Sequence, residues 1–498
     1  MEVGAITLTL NMNKSTNTAV NRKPGLLQLF ILCMILLFLQ GCASTSIFKP
    51  YPGQMQEMIN DVNQSGKLSI EKPETQRGPD QVLHYLEQGR LAQITQQYDL
   101  SKAYFDLAID YFEQLDYQAR ISATKLSQQG SSLLVNDNVI TYDPPAFEQL
   151  YVHHFQALNY LFAKDLDAAG VEVRRANLVQ TKIQEKNAAE IDKANKKASE
   201  LPVSIGPTQE YIDALYRDTD SSVSRLKNSF QNGYAFYASA IIYELRGEWG
   251  DAFIDYKNAL EVNPDNRFIQ RDVQRLAKRL GYQEDYDSIT KKIGPLPAPA
   301  AAPQKAPAEV VIFYEDGFVP AKRDVTIPIT NFYDRAIAIS FPVYEDSYTP
   351  PHTLTVSANS NNSPTTSAPL SNTYALAIKA LQEQQFSLIV RQISRAITKA
   401  ELTHKSEQAG GSLGAVLASV YNIVSEQADL RSWLSLPRRA EVIRMTLPAE
   451  TSSITFKPEG SALSRSMPLK LEPNSITVIQ VTHTGSQLFT RAVTFNRN

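Results

Sequence analysis

Apolar residues along this chain keep two different periods. From about residue 80 to 292 they return every three or four positions, the spacing of amphipathic helices. Beyond residue 309 the period falls to two, in EVVIFYED, VTIPIT and AIAISFPVYED, which read as strands ending in acidic turns. Helical spacing returns in TYALAIKALQEQQFSLIVRQISRAITKAEL, 373–402. There Ile378, Leu381, Ile389, Ile393, Ile397 and Ala400 approximate one apolar stripe, and Arg391, Arg395 and Lys399 form a second row, read as a solvated charged face. No formal charge falls between Glu407 and Glu426, but the Ser, Asn and Gly in that span favour a buried or interface helix over a membrane span. Alternation resumes after Pro437 in EVIRMTLP, ITF, ITVIQV and LFTRAVTF. The two regimes meet at IGPLPAPAAAPQKAPAE, 293–309, an extended Pro/Ala spacer. The pattern predicts an α+β multidomain chain. An N-terminal α-solenoid of helix pairs covers 80–292 and a linker 293–309. An antiparallel β-rich, sandwich-like domain covers 310–498, with a helical hairpin inserted at about 373–433.

The helical half repeats. NGYAFYASAIIYELRGEWGDAFIDYKNALEVNPDN, 232–266, resembles a tetratricopeptide (TPR) repeat, a helix-turn-helix of about 34 residues. Phe236, Ala240, Tyr243, Gly247, Ala252, Tyr256, Ala259 and Pro264 fall at that spacing, and Ser239 departs from the usual leucine. Weaker units occupy 82–115 and 150–183. Such pairs cannot bury their faces alone, so they stack into a curved solenoid with a groove. The register puts His153 in the core and Tyr151, His154, Tyr234 and Tyr237 on the groove face, where they are candidate anchors for a partner peptide or helix. His153 and His154 are helix neighbours pointing to different faces, which argues against a metal pair.

The N-terminus changes the picture from fold to location. Lys14, Arg22 and Lys23 precede the uncharged run LLQLFILCMILLFLQ, 26–40, a length suited to a signal-peptide core. Leu39-Gln40-Gly41-Cys42 then resembles the lipobox of bacterial lipoproteins. The resemblance implies removal of residues 1–41, diacylglycerol on Cys42, N-acylation, and a tether over 42–79; multiple acyl chains anchor stably. Ala43 after the cysteine implies the outer membrane, facing the periplasm. Cys33 and Cys42 are the two cysteines, so nothing after residue 42 can form a disulfide, a thiolate metal site or a cysteine nucleophile. A net charge of −3 gives no footprint for nucleic acid. No nucleophile elbow, HExxH pair, Walker loop or dinucleotide fingerprint is present, so the reading is non-enzymatic, with no cofactor and no metal site. One echo, YEDGFVP at 314–320 and YEDSYTP at 344–350, offers two acidic turns. It is read as two similar strand exits in preference to a cation site, because each supplies only two acids.

SEQADLRSWLSLP, 425–437, gathers Glu426, Asp429, Arg431 and Trp433. It is read as a structural joint that closes the inserted helices. If the helix ends near Asp429, Arg431 folds back as a forked pair while Trp433 wedges helix against sheet. Lipobox, Ser229–Asn232 before the last repeat, YEDGFVP and EQADLRSWLSLP together resemble an uncharacterised family of TPR-containing bacterial lipoproteins with a β-rich C-terminal domain. That resemblance implies an envelope location and no established activity; members of the family can be encoded near lipoprotein activators of peptidoglycan synthases, which makes the peptidoglycan synthesis machinery a partner class by association and not by mechanism. The function expected is a membrane-anchored protein-protein interaction scaffold for an envelope protein or peptide, acting through the groove. The alternatives are a glycan-binding module or cell-wall enzyme in the C-terminal half, or an accessory to peptidoglycan synthesis or surface export.

Overall fold

The computed structural model describes residues 51–498 except 75–77, 123–140, 203, 217–220, 297–306, 333–334, 345–351, 426–427 and 497–498. Cys42, Glu426, the second acidic echo after Tyr344 and most of the Pro/Ala spacer lie outside the described residues. After α1 (Tyr51–Ser65), helices come in pairs at the predicted positions. These are α2 (Gln81–Ile94) with α3 (Tyr98–Ser122), and α4 (Ala146–Phe162) with α5 (Leu166–Ser199). The short α6 (Gly206–Leu215) and α7 (Ser221–Arg225) follow. Two more pairs close the half: α8 (Gly233–Leu245) with α9 (Trp249–Val262), and α10 (Arg267–Leu280) with α11 (Gln283–Ile293). Local chemistry sets the starts. Asp165, Asn232 and Asn266 each accept backbone N–H bonds from the first turn of α5, α8 and α10. Small residues set the spacing within pairs. Ala240, Ala252 and Ala259 are fully buried, and a Cβ at Gly89 would stand 2.7 Å from the Phe105 ring.

Among the described residues the second half contains three sheets. The largest runs β11 (Leu488–Asn496), β10 (Ser475–His483), β1 (Ala308–Phe318), β7 (Pro437–Leu447), β6 (Ala368–Asn372). β1 pairs antiparallel with β7 but parallel with β10, so the sheet is mixed where alternation had predicted an antiparallel one. β2 (Lys322–Phe332) and β3 (Arg335–Tyr344) form a hairpin. β4 (Leu354–Ala358), β5 (Asn361–Thr366), β8 (Ser453–Pro458) and β9 (Arg465–Pro468) form an antiparallel sheet of four. The insertion is one continuous helix, α12 (Thr373–Ser425), and not a hairpin. Its predicted apolar stripe is buried at all six positions. Its basic row is a solvated face only at Arg391, which is exposed; Arg395 and Lys399 are buried in a helix that packs along α5 and β3. Among the described residues no helix is long and apolar enough to cross a membrane.

The two halves pack into one compact body over Pro52–Asn498. Odd-numbered residues of β1 meet the helices, with the Phe313 ring 5.4 Å from Tyr234 and 6.1 Å from Tyr237. Glu315, fully buried, accepts from Arg90 (2.5 Å), Tyr234 (3.0 Å), Gln480 (2.7 Å) and Thr482 (2.7 Å). Burial alone would raise its carboxyl. The Arg90 charge and the bonds from Thr482, Arg90 and Gln480 hold it below the usual range. Arg444 of β7 bridges Glu244 (3.0 Å) and Asp272 (3.0 Å) of α8 and α10. Nearby, Asn266 donates to Pro369 O at 2.7 Å. A Cβ at Gly233 would lie 2.2 Å from Leu370 O, so α8 approaches β6 as closely as only glycine allows.

Candidate functional site

The residues picked for the partner groove do sit together, facing the sheet of their own chain. Tyr151 O–H meets Thr373 Oγ1 at 2.7 Å, at the start of α12. The His154 ring lies 4.2 Å from that of Tyr234, and Tyr237 donates to Asp272 at 2.6 Å. All four are at most 5% exposed. Burial pushes His154 down to about 3, so the ring is neutral. The concave face is therefore filled by β1 and β6 and is not open to a partner in this conformation. His153 lies in the core as its register predicts, 2.7 Å from Glu172.

SEQADLRSWLSLP is a joint on a larger scale than the sequence implied. Arg431 forks onto Asp429 (Nε–Oδ1 2.8 Å, Nη2–Oδ2 2.7 Å) and reaches Asp80 at 2.7 Å, just before α2. The Trp433 indole is 1% exposed and packs edge-on against Phe105 (6.0 Å) and Phe155 (5.9 Å), both from the helical half. Its backbone N–H donates to Glu148 of α4 at 2.9 Å, while Leu434 and Ser435 N–H donate to Glu87 of α2 at 2.6 and 3.1 Å. Burial pushes Glu148 up to about 7 despite the bonds from Trp433 and Tyr142. The wedge thus joins the helical half to the C-terminal half, not helix to sheet within the second half alone.

A different cluster lies on the opposite face of the main sheet. Tyr314, Asp316 and Glu441 share that face with His483, which pairs with Asp316 across parallel strands. His483 Nδ1 is 2.7 Å from Asp316 Oδ1, and His352, two residues before β4, puts Nδ1 3.2 Å from Oδ2. Tyr314 O–H donates to Oδ1 at 3.2 Å. Burial would raise the Asp316 carboxyl, but the hydrogen bond from His483 and the interaction with His352 keep it below its ordinary value. Glu441, held by Ser367, is pushed by burial up to about 7. One donor atom from each of Asp316, His352 and His483 lies within 4.8 Å of the other two. The sequence reading expected no metal-competent set, and the fold assembles one. Asp316 belongs to the first YED echo, yet its histidines are 36 and 167 residues away. No short motif links them.

The described surface also carries an open cleft between α5, the 228–236 segment and α9. Asn177, Gln180, Asn228, Gln231, Asn258, Asp255 and Glu261 line its mouth, with Phe230 and Phe236 beneath. Ile254, 57% exposed, stands at the rim. The cleft continues into an apolar recess walled by Leu150, Ala157, Val173 and Ile242. No protein-family model, no curated protein and no solved structure matches this chain.

Proposed function

We propose that the protein is an outer-membrane lipoprotein, anchored through Cys42 and facing the periplasm, that works as a protein-protein interaction scaffold. Its TPR-like helix pairs take an extended peptide segment of an envelope partner in the α5–α9 cleft. The observation that carries this reading is the contrast between a concave groove filled from within and a cleft left open beside it. Five side-chain carboxamides at the mouth carry donors and acceptors; the Gln231 and Asn228 oxygens also accept from Lys227 and Phe230 N–H and Asn258 donates to Asp255, and the rest of the set matches the alternating N–H and C=O groups of an extended backbone. The apolar recess below suits one anchoring side chain. The lipobox supports the tether, and the resemblance to TPR lipoproteins makes the peptidoglycan synthesis machinery the first partner class to test.

Site-specific photo-crosslinking in cells tests the cleft. A photoreactive residue at Asn258 gives a discrete adduct, one at Tyr237 gives none, and Asn177→Arg removes the Asn258 adduct while leaving the melting temperature unchanged. Equal adducts at 258 with and without Asn177→Arg would refute the cleft as the binding surface. Metabolic labelling with palmitate, abolished by Cys42→Ala, tests the anchor separately.

A further inference from the structure

We propose that Asp316, His352 and His483 form a binding site for a divalent transition-metal ion, with Zn²⁺ the best chemical match. The donor set decides the class. Two imidazoles and one carboxylate are borderline ligands that suit Zn²⁺ and its first-row neighbours, whereas Mg²⁺ and Ca²⁺ want oxygen alone. Geometry supports it next. Ligand atoms about 2.0–2.1 Å from a tetrahedral Zn²⁺ stand about 3.3 Å apart. His352 Nδ1 stands 3.2 Å from Asp316 Oδ2 and His483 Nδ1 2.7 Å from Oδ1, with one donor atom of each residue within 4.8 Å of the other two, so small side-chain adjustments, about 0.6 Å at the His483 contact, bring the three donors to tetrahedral spacing.

Rigidity supports it further. Asp316 and His483 are paired residues of adjacent strands in the sheet centre, and both are nine-tenths or more buried. His352 is about one-third exposed on its side chain, which gives the ion a way in. His483 Nε2 is buried with no hydrogen-bond partner in the protein, and so is Oγ1 of the adjacent Thr484. His483 therefore has a second ring nitrogen that Asp316 does not engage, so the ring can meet an ion through either nitrogen. Three protein ligands leave a fourth position for water or a substrate group, the pattern of an open site.

The test is Co²⁺ and Zn²⁺ titration of the full chain, stripped with chelator. Co²⁺ at one equivalent gives the visible d–d bands of a four-coordinate site, Zn²⁺ displaces it, and Zn²⁺ raises the melting temperature by a few degrees. Asp316→Asn and His483→Ala lower the affinity by roughly a hundredfold. Because those two are buried and can disturb folding, His352→Ala is the deciding variant. It keeps the chelator-treated melting temperature of the wild type and loses at least about tenfold in affinity. His84→Ala leaves the titration unchanged. Stoichiometry below one equivalent at saturating metal, or an affinity indifferent to His352→Ala, would overturn the proposal and leave the trio as a structural hydrogen-bond cluster only.

Discussion

Arg90→Met removes one charge from the centre of the interface and leaves its partner behind. Arg90 is 1% exposed, donates to Gln93 and Glu315 at 2.5 Å each, and lies 4.2 Å over the Phe155 ring. Methionine keeps the stem's packing on that ring. What is lost is the charge bonded to Glu315, which is fully buried and keeps its neutral donors Tyr234, Gln480 and Thr482 and the charge of Arg491, which is not bonded to it. Stranding a buried carboxylate in this way costs about 3–5 kcal/mol. With an unfolding entropy of roughly 2.1 cal/mol/K per residue and about 450 residues in one body, that is a fall in Tm of about 3–5 °C.

The pH dependence has a definite sign. In the wild type, Glu315 is held below its ordinary 4.5, so its contribution is present above the unfolded pKa and is lost as pH falls through the folded value. Without Arg90, burial dominates and the folded pKa rises above 4.5, so the variant is penalised at neutral pH and relieved on acidification. The wild-type advantage therefore shrinks between pH 7 and pH 4. Arg90→Met/Glu315→Gln, which removes both charges, recovers most of the loss at pH 7. Differential scanning calorimetry and urea unfolding at the two pH values read all of this. An advantage that grows on acidification, or a double variant no better than the single one, refutes the reasoning.

Three further substitutions read other parts of the interface. Trp433→Ala empties the pocket between Phe105 and Phe155 and costs about 3–5 kcal/mol in the full chain, again about 3–5 °C by calorimetry; an unchanged Tm would mean the indole is not a wedge. Gly233→Ala sets a Cβ against Leu370 O and lowers stability by about 1–3 kcal/mol, whereas Gly250→Ala, with open space around it in α9, changes it by less than about 1 kcal/mol and in the stabilising direction. Glu148, raised to about 7, makes wild-type stability fall as pH rises from about 4.5 to about 7; Glu148→Gln lacks that slope, so its Tm gains on the wild type across this window and runs parallel above it.

What the sequence made legible was local. Helix pairs followed from the period, and the Arg431–Asp429 fork from residues two apart; the N-caps at Asn232 and Asn266 were equally local but went unread. The mixed sheet was not legible, because alternation favours antiparallel pairing without fixing the direction of any one pair, and the β1–β10 pairing joins residues more than 160 apart. The filled groove did leave a signal. VVIFY, 310–314, is a continuous apolar run and not an alternation, the mark of a strand covered on both faces. One of those faces needed a layer of helices, and the helices were the chain's own. The basic row of α12 is solvated at Arg391 and buried at Arg395 and Lys399, because a charge period cannot distinguish solvent from a covering element. His352 and His483 belong to no motif; they reach Asp316 only because β10 and the approach to β4 end where β1 ends.

The polar character of the interface has a consequence for how such a chain is built. An apolar sheet could slide along an apolar concave face and find several nearly equal seats, since dispersion and burial are non-directional. Across the seam Glu148 accepts from the backbone N–H of Trp433 and Glu87 from those of Leu434 and Ser435, Glu315 needs Arg90 and Tyr234 on one side and Gln480 and Thr482 on the other, and Arg444 needs Glu244 and Asp272 together. Each misplaced register would strand several buried charges, a penalty far above what burial of the same area could recover. The ion pairs therefore select one seat more than they deepen it. That selection lets a Pro/Ala spacer with no positional information of its own connect two halves that dock in a single arrangement, and it fixes the open α5–α9 cleft relative to the sheet.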